Sequence, residues 1–86
     1  MDYQVVIPKP VQKQLDGLPD AIYDRIIKKI KMLEEHPRPR GCIKLKGYEN
    51  EYRIRIGNYR IRYEVCDQEY ILILLHCKHR KSVYKD

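Results

Sequence analysis

The chain has neither tryptophan nor phenylalanine among its 86 residues, yet it carries eight tyrosines. Its core must therefore come from Ile, Leu and Val, with tyrosine rings filling gaps and keeping their hydroxyls near a partner or water. Cysteine is scarce: Cys42, Cys66 and Cys77 are odd in number and fit no zinc spacing. They read as reduced, semi-buried side chains, which implies a reducing compartment. No apolar run approaches the roughly 20 residues of a membrane span. Met1-Asp2-Tyr3-Gln4 shows no signal-peptide pattern, so the expected location is cytoplasmic, with no membrane partner. His76, Cys77 and His79 lie close together but lack a second pair at ligand spacing, so no metal is expected. There is no Ser/His/Asp order and no Gly-rich phosphate loop, and no cofactor is expected.

What is present is basic charge, unevenly placed. The net charge is +6. In residues 1–36 Lys/Arg and Asp/Glu balance, so residues 37–86 carry all of the excess. Between positions 38 and 62 the basic residues are opposed only by Glu49 and Glu51. A neutral half and a basic half indicate an N-terminal scaffold and a C-terminal anion-binding surface. The length suffices for one domain and not for two.

Hydrophobic period predicts the elements. Tyr3–Ile7 reads as a short strand, ended by Pro8 and Pro10. Val11, Leu15 and Leu18 give a short helix one apolar stripe. Ile22, Ile26, Ile30 and Leu33 give a longer helix, from Asp20 to Glu35, a second stripe. Residues 37–50, with Pro37, Pro39, Gly41 and Gly47, read as a loop. The period then becomes two. Tyr52–Ile56 and Tyr59–Val65 alternate around Gly57-Asn58, a two-residue hairpin turn. Tyr70–Leu75, apolar on both faces, reads as a central strand. The expected fold is α+β, in the order β-α-α-β-β-β, with two antiparallel helices on a mostly antiparallel four-stranded sheet.

Alternation places Tyr52, Ile54, Ile56, Tyr59, Ile61, Tyr63 and Val65 on one face of the hairpin. Arg53, Arg55, Arg60 and Arg62 take the other. Like charges across strands are destabilising, so four arginines need an anion or neighbouring carboxylates. Arginine suits bidentate phosphate contacts. Glu49, Glu51 and Glu64 offer the alternative, neutralisation by exposed salt bridges of small worth. Lys44, Lys46, Lys78, Arg80 and Lys81 are placed to extend the basic face.

The stretch Lys-Leu-Lys-Gly-Tyr at 44–48, followed by Tyr-Arg-Ile-Arg-Ile-Gly-Asn-Tyr-Arg-Ile-Arg-Tyr at 52–63, resembles the RelE/ParE toxin superfamily. So does the tail His79-Arg80-Lys81-Ser82-Val83-Tyr84. The resemblance implies a RelE-like fold and a toxin of a type II toxin–antitoxin system. RelE-like members cut mRNA in the ribosomal A site by in-line attack of a ribose 2′-OH on the adjacent phosphate. That reaction needs a base, cations on the developing charge and an acid for the leaving oxygen. By motif, the resemblance assigns catalytic roles to Arg53, Arg55, Arg60, Arg80 and Tyr84. RNA binding falls to Lys44, Lys46, Arg62, Lys78 and Lys81. The implied partners are a cognate antitoxin, the ribosome and mRNA, with operator DNA reached only through the antitoxin complex. One departure matters. RelE carries lysines where this chain has Arg53 and Arg55, and arginine cannot act as a base near neutral pH. The base role moves to Tyr84, to His79 or to a lysine such as Lys46; His36 and His76 are expected to be structural. Two other readings stay open: a ParE-like inhibitor of DNA gyrase, and an inactive module that binds only its antitoxin.

Overall fold

Prolines set where both helices begin. In the computed structural model, which describes residues 2–83, a short strand β1 (Gln4–Val6) gives way at Pro8, whose extended backbone precedes helix α1 (Lys9–Asp16). Pro10 lies in the first turn of α1, where its missing N–H has no intrahelical partner to lose. Pro19 stands in the same place before helix α2 (Asp20–Glu35). Val11 and Leu15 on α1, and Ile26, Ile30 and Leu33 on α2, are buried, as the stripes predict. Among the described residues no helix is long and apolar enough to cross a membrane.

The sheet has five strands, not the expected four. Their order is β1-β5-β4-β3-β2, with β2 (Ile43–Lys44), β3 (Glu51–Ile56), β4 (Tyr59–Cys66) and β5 (Ile71–His79). The extra strand, β2, lies inside the segment read as a loop. It is two residues long, too short to show a period, and pairs Ile43 with Arg53 and Lys44 with Tyr52. The sheet is also mixed, because β1 runs parallel to β5. Period two reports which residues share a face and not which strand lies alongside. Strands distant in sequence escape the antiparallel constraint that a hairpin imposes.

The hairpin forms as its sequence predicts. Ile56 pairs with Tyr59 across Gly57-Asn58. Gly57 has φ 58° while Asn58 stays out of the left-handed region, the pattern of a type II′ turn. Tyr52, Ile54, Ile56, Ile61, Tyr63 and Val65 join the buried helix residues in one core. The isoleucines therefore face the helices, and the arginines project from the opposite, open face.

The decisive irregularity is in β5. Tyr63 pairs with Leu74, but Arg62 pairs with His76, so Leu75 is one residue too many. The surplus residue reverses the alternation. Before it, Leu72 and Leu74 face the core; after it, Cys77 does. His76 and Lys78 are thereby turned to the arginine face. Beyond Ile73 β1 no longer covers β5, and there the Gln14 side chain of α1 accepts the Cys77 N–H at 2.7 Å. Deleting Leu75 should turn the bulge into a regular ladder, with His76 and Lys78 kept on the arginine face and Cys77 in the core. The deletion is therefore expected to leave unfolding in urea cooperative. Leu75→Ser, at a position 37% exposed, should cost only about 0.5 kcal/mol.

Candidate nucleic-acid interface

Strand register assembles the cations. Arg55 pairs with Arg60, and Arg60 pairs with Lys78, giving a rung of three basic residues across β3, β4 and β5. The next rung is Arg53, Arg62 and His76. Adjacent unit charges repel by about 1 kcal/mol even in a water-like dielectric. The second rung relieves this at Arg62. The Arg62 guanidinium grips Oε1 of Glu51 through Nε at 2.7 Å and Nη2 at 2.6 Å, and lies 4.4 Å from the centre of the Tyr48 ring. Neutralisation by Glu51 thus holds for Arg62. Arg55 has no ion-pair partner among the described residues.

The first rung opens into a cleft of about 370 Å³, lined by Arg55, Gly57, Asn58, Arg60, Arg80 and Lys81. Arg80 and Lys81 reach it from a one-turn helix, α3 (Arg80–Val83), which follows β5 without a break. The Arg80 N–H donates to the Asn58 carbonyl at 2.7 Å, tying this turn to the hairpin. Arg60 is 8% exposed, so the face is not uniformly solvated as alternation alone implied. A smaller hollow of about 140 Å³ shares Arg60 and adds Leu45, Arg53, Arg62 and His76.

The expected site residues thus divide. Arg55, Arg60, Arg80 and Lys81 line one cleft, with Lys78 on the same rung as Arg55 and Arg60; Arg53 and Arg62 stand beside it. Lys44 pairs with Tyr52, which orients it with the helix-facing residues at the sheet edge, away from the rungs. Lys46 is exposed in the turn after β2 and lines neither hollow. His79 lies on the face of Tyr59, its ring edge-on to that tyrosine at 5.0 Å, and its Nδ1 accepts the Lys81 N–H at 3.2 Å. Tyr84 lies outside the described residues. Sequence reasoning missed His76 as a member of the basic face. The signal that finds it is the surplus residue in β5, which no period reveals.

A second polar cluster braces the opposite end of the sheet. Arg38 places two nitrogens on Asp67, at 2.6 and 3.1 Å, and donates through Nε to the Tyr52 hydroxyl at 2.8 Å. The Tyr3 hydroxyl donates to the same carboxylate at 2.5 Å. Arg38 first, and Tyr3 after it, hold the Asp67 carboxyl below the usual carboxylate range. Burial pushes the Tyr63 phenol up, and its hydroxyl donates to the Pro37 carbonyl at 2.8 Å. Burial also pushes the Cys77 thiol up to about 11.

Fold and site together define a small α+β protein whose open sheet face gathers cations. The family model for the ParE toxin of the type II toxin–antitoxin system parDE matches residues 5–84. Toxin RelE3 of Methanocaldococcus jannaschii is 36% identical, over 94% of each chain. The archaeal RelE–RelB complex from Pyrococcus horikoshii superposes with a TM-score of 0.84 at 39% identity, over 93% of this chain and 97% of that one. The RelB–RelE complex from Methanococcus jannaschii gives 0.77 at 35%, over 93% and 95%. The chain belongs to the RelE/ParE family of toxins of type II toxin–antitoxin systems.

The Asp67 cluster predicts a pH dependence of stability. A carboxyl whose folded pKa is depressed contributes stability above its unfolded pKa and loses it as pH falls through the folded value. Asp67→Asn should therefore lower the melting temperature at neutral pH. The gap to the wild type should close as the carboxylate is titrated in acid, followed by thermal melts across pH.

Proposed function

We propose that this toxin is a ribosome-dependent endoribonuclease that cuts mRNA in the A site, and that its cleft holds the scissile phosphate. The observation that carries this reading is that Arg55 and Arg60, on one rung with Lys78, meet Arg80 and Lys81 around one concavity. Attack of the 2′-oxygen on phosphorus forms one P–O bond and breaks the bond to the 5′-oxygen, with charge accumulating on the non-bridging oxygens. Fixed guanidinium groups stabilise that charge without reorganising at the moment of reaction. Partial burial of Arg60 strengthens its hold on a phosphate relative to a solvated arginine. Tyr84 is assigned the proton transfer. Relatives at 35–39% identity bear the name RelE, which favours RNA over gyrase. The family model's ParE name keeps gyrase inhibition as the competing reading.

The cognate partner is an antitoxin, as RelB is for the archaeal relatives. The open face offers it two textures. Val6 and Ile73 pair on the β1 side, whereas the cations lie toward β3. An antitoxin segment with both apolar and acidic residues would cover both.

Primer extension on ribosome-bound mRNA tests the central reading. Cleavage confined to the A site supports it; inhibition of gyrase supercoiling without RNA cleavage overturns it. Arg60→Ala should reduce the cleavage rate on the order of 100-fold, the scale of losing one oxyanion donor, and Arg60→Lys should lose less. Tyr84→Phe should slow cleavage while leaving ribosome binding intact, as a proton-transfer role requires.

Glu51→Gln should release Arg62 for phosphate. The plot of log affinity against log salt should then steepen by about 0.7, as one more counterion is displaced.

A further inference from the structure

We infer that His79 is a positioning residue. Its neutral imidazole caps α3, holding Arg80 and Lys81 on the cleft, and its protonation uncaps that turn. The inference rests on the cleft reading above and deepens it.

His79 is the last residue of β5, immediately before the helical turn. Its Nδ1 accepts the N–H of Lys81 at 3.2 Å. That is the geometry of an N-cap, whose side-chain acceptor satisfies the amide two residues on. The first amide of the turn, on Arg80, goes to the Asn58 carbonyl at 2.7 Å. One anchor is therefore backbone and insensitive to pH, and the other is a titratable ring. The edge-on contact with Tyr59, at 89° between ring planes, fixes the ring's orientation.

An acceptor Nδ1 assigns the proton of the neutral ring to Nε2. Such a ring has already committed its lone pair to the backbone, which argues against His79 as the base. An imidazolium has no lone pair at all. Protonation would replace the cap with a repelled N–H and place a cation beside Arg80 and Lys81. Among the described residues no ion pair joins His79 to a carboxylate. From β4 comes Tyr59; from α1 the neutral amide of Gln14 lies on neighbouring Cys77; from α2 the Arg25 guanidinium reaches the Gly57 turn.

Two measurements test the inference. In ¹⁵N-labelled toxin, the Lys81 amide should shift with the same midpoint as the His79 ring. A Lys81 amide that stays fixed through the ring titration overturns the cap. On ribosome-bound mRNA, His79→Ala should lose roughly fivefold to tenfold in rate, the scale of a lost N-cap. His79→Asn supplies a non-titrating cap. It should recover activity to within about threefold of wild type and flatten the acid limb of the rate profile. If His79→Asn is as impaired as His79→Ala, or keeps the acid limb, the ring acts otherwise and the inference fails. Should the wild type cut no ribosome-bound mRNA, the nuclease reading falls, while the amide titration still decides the cap.

Discussion

One surplus residue in the central strand governs the chemistry of this sheet. Strict alternation along β5 would send His76 and Lys78 into the core beside Leu72 and Leu74. Leu75, inserted opposite the Arg62–Tyr63 step, reverses the parity. Cys77 then completes the apolar layer, and Lys78 completes a rung with Arg60 and Arg55. Bulges commonly re-aim side chains where a sheet meets its ligand. Here the device is supported from the helix side, where Gln14 accepts the Cys77 amide.

The bulge explains how a small protein concentrates cations without unfolding around them. Repulsion within each rung is met differently. Glu51 and Tyr48 absorb Arg62, so the second rung is relieved at that one residue. The first rung remains open to an external anion through Arg55. Its cost is sustained by the apolar layer behind it, where Ile61, Tyr63, Leu72 and Leu74 are fully buried. Stability is thus built on one face of the sheet and applied on the other, the arrangement expected of a half-covered antiparallel surface.

The cleft also depends on segments far apart in the chain. β3 and β4 bring Arg55 and Arg60, and the turn after β5 brings Arg80 and Lys81. Asn58 joins them by accepting the Arg80 amide. At the other end of the sheet Arg38, Asp67, Tyr3 and Tyr52 fasten β1, the α2–β2 connection, β3 and the β4–β5 turn together. The tyrosines that replace Phe and Trp act as anticipated, with rings in the core and hydroxyls on partners: Tyr63 to Pro37, Tyr52 from Arg38.

Much was legible before any fold was known. The helix stripes, the Gly57 turn and the arginine alternation follow from local periods of 3.6 and 2, and local periods survive in any context that buries one face. The resemblance to RelE/ParE toxins rested on residues 44–63 and the tail 79–84. The fifth strand and the parallel pairing escaped because pairing between distant segments leaves no periodic trace, and β2 spans only two residues. The placement of His76 and His79 escaped for a sharper reason. A single inserted residue reverses every side chain after it, and nothing in Leu74-Leu75-His76 marks which residue is the insertion. Sequence determined which residues were basic and which strands alternated. Only the packing of β5 between β1 and β4 decided that His76 shares the arginine face and that His79 does not.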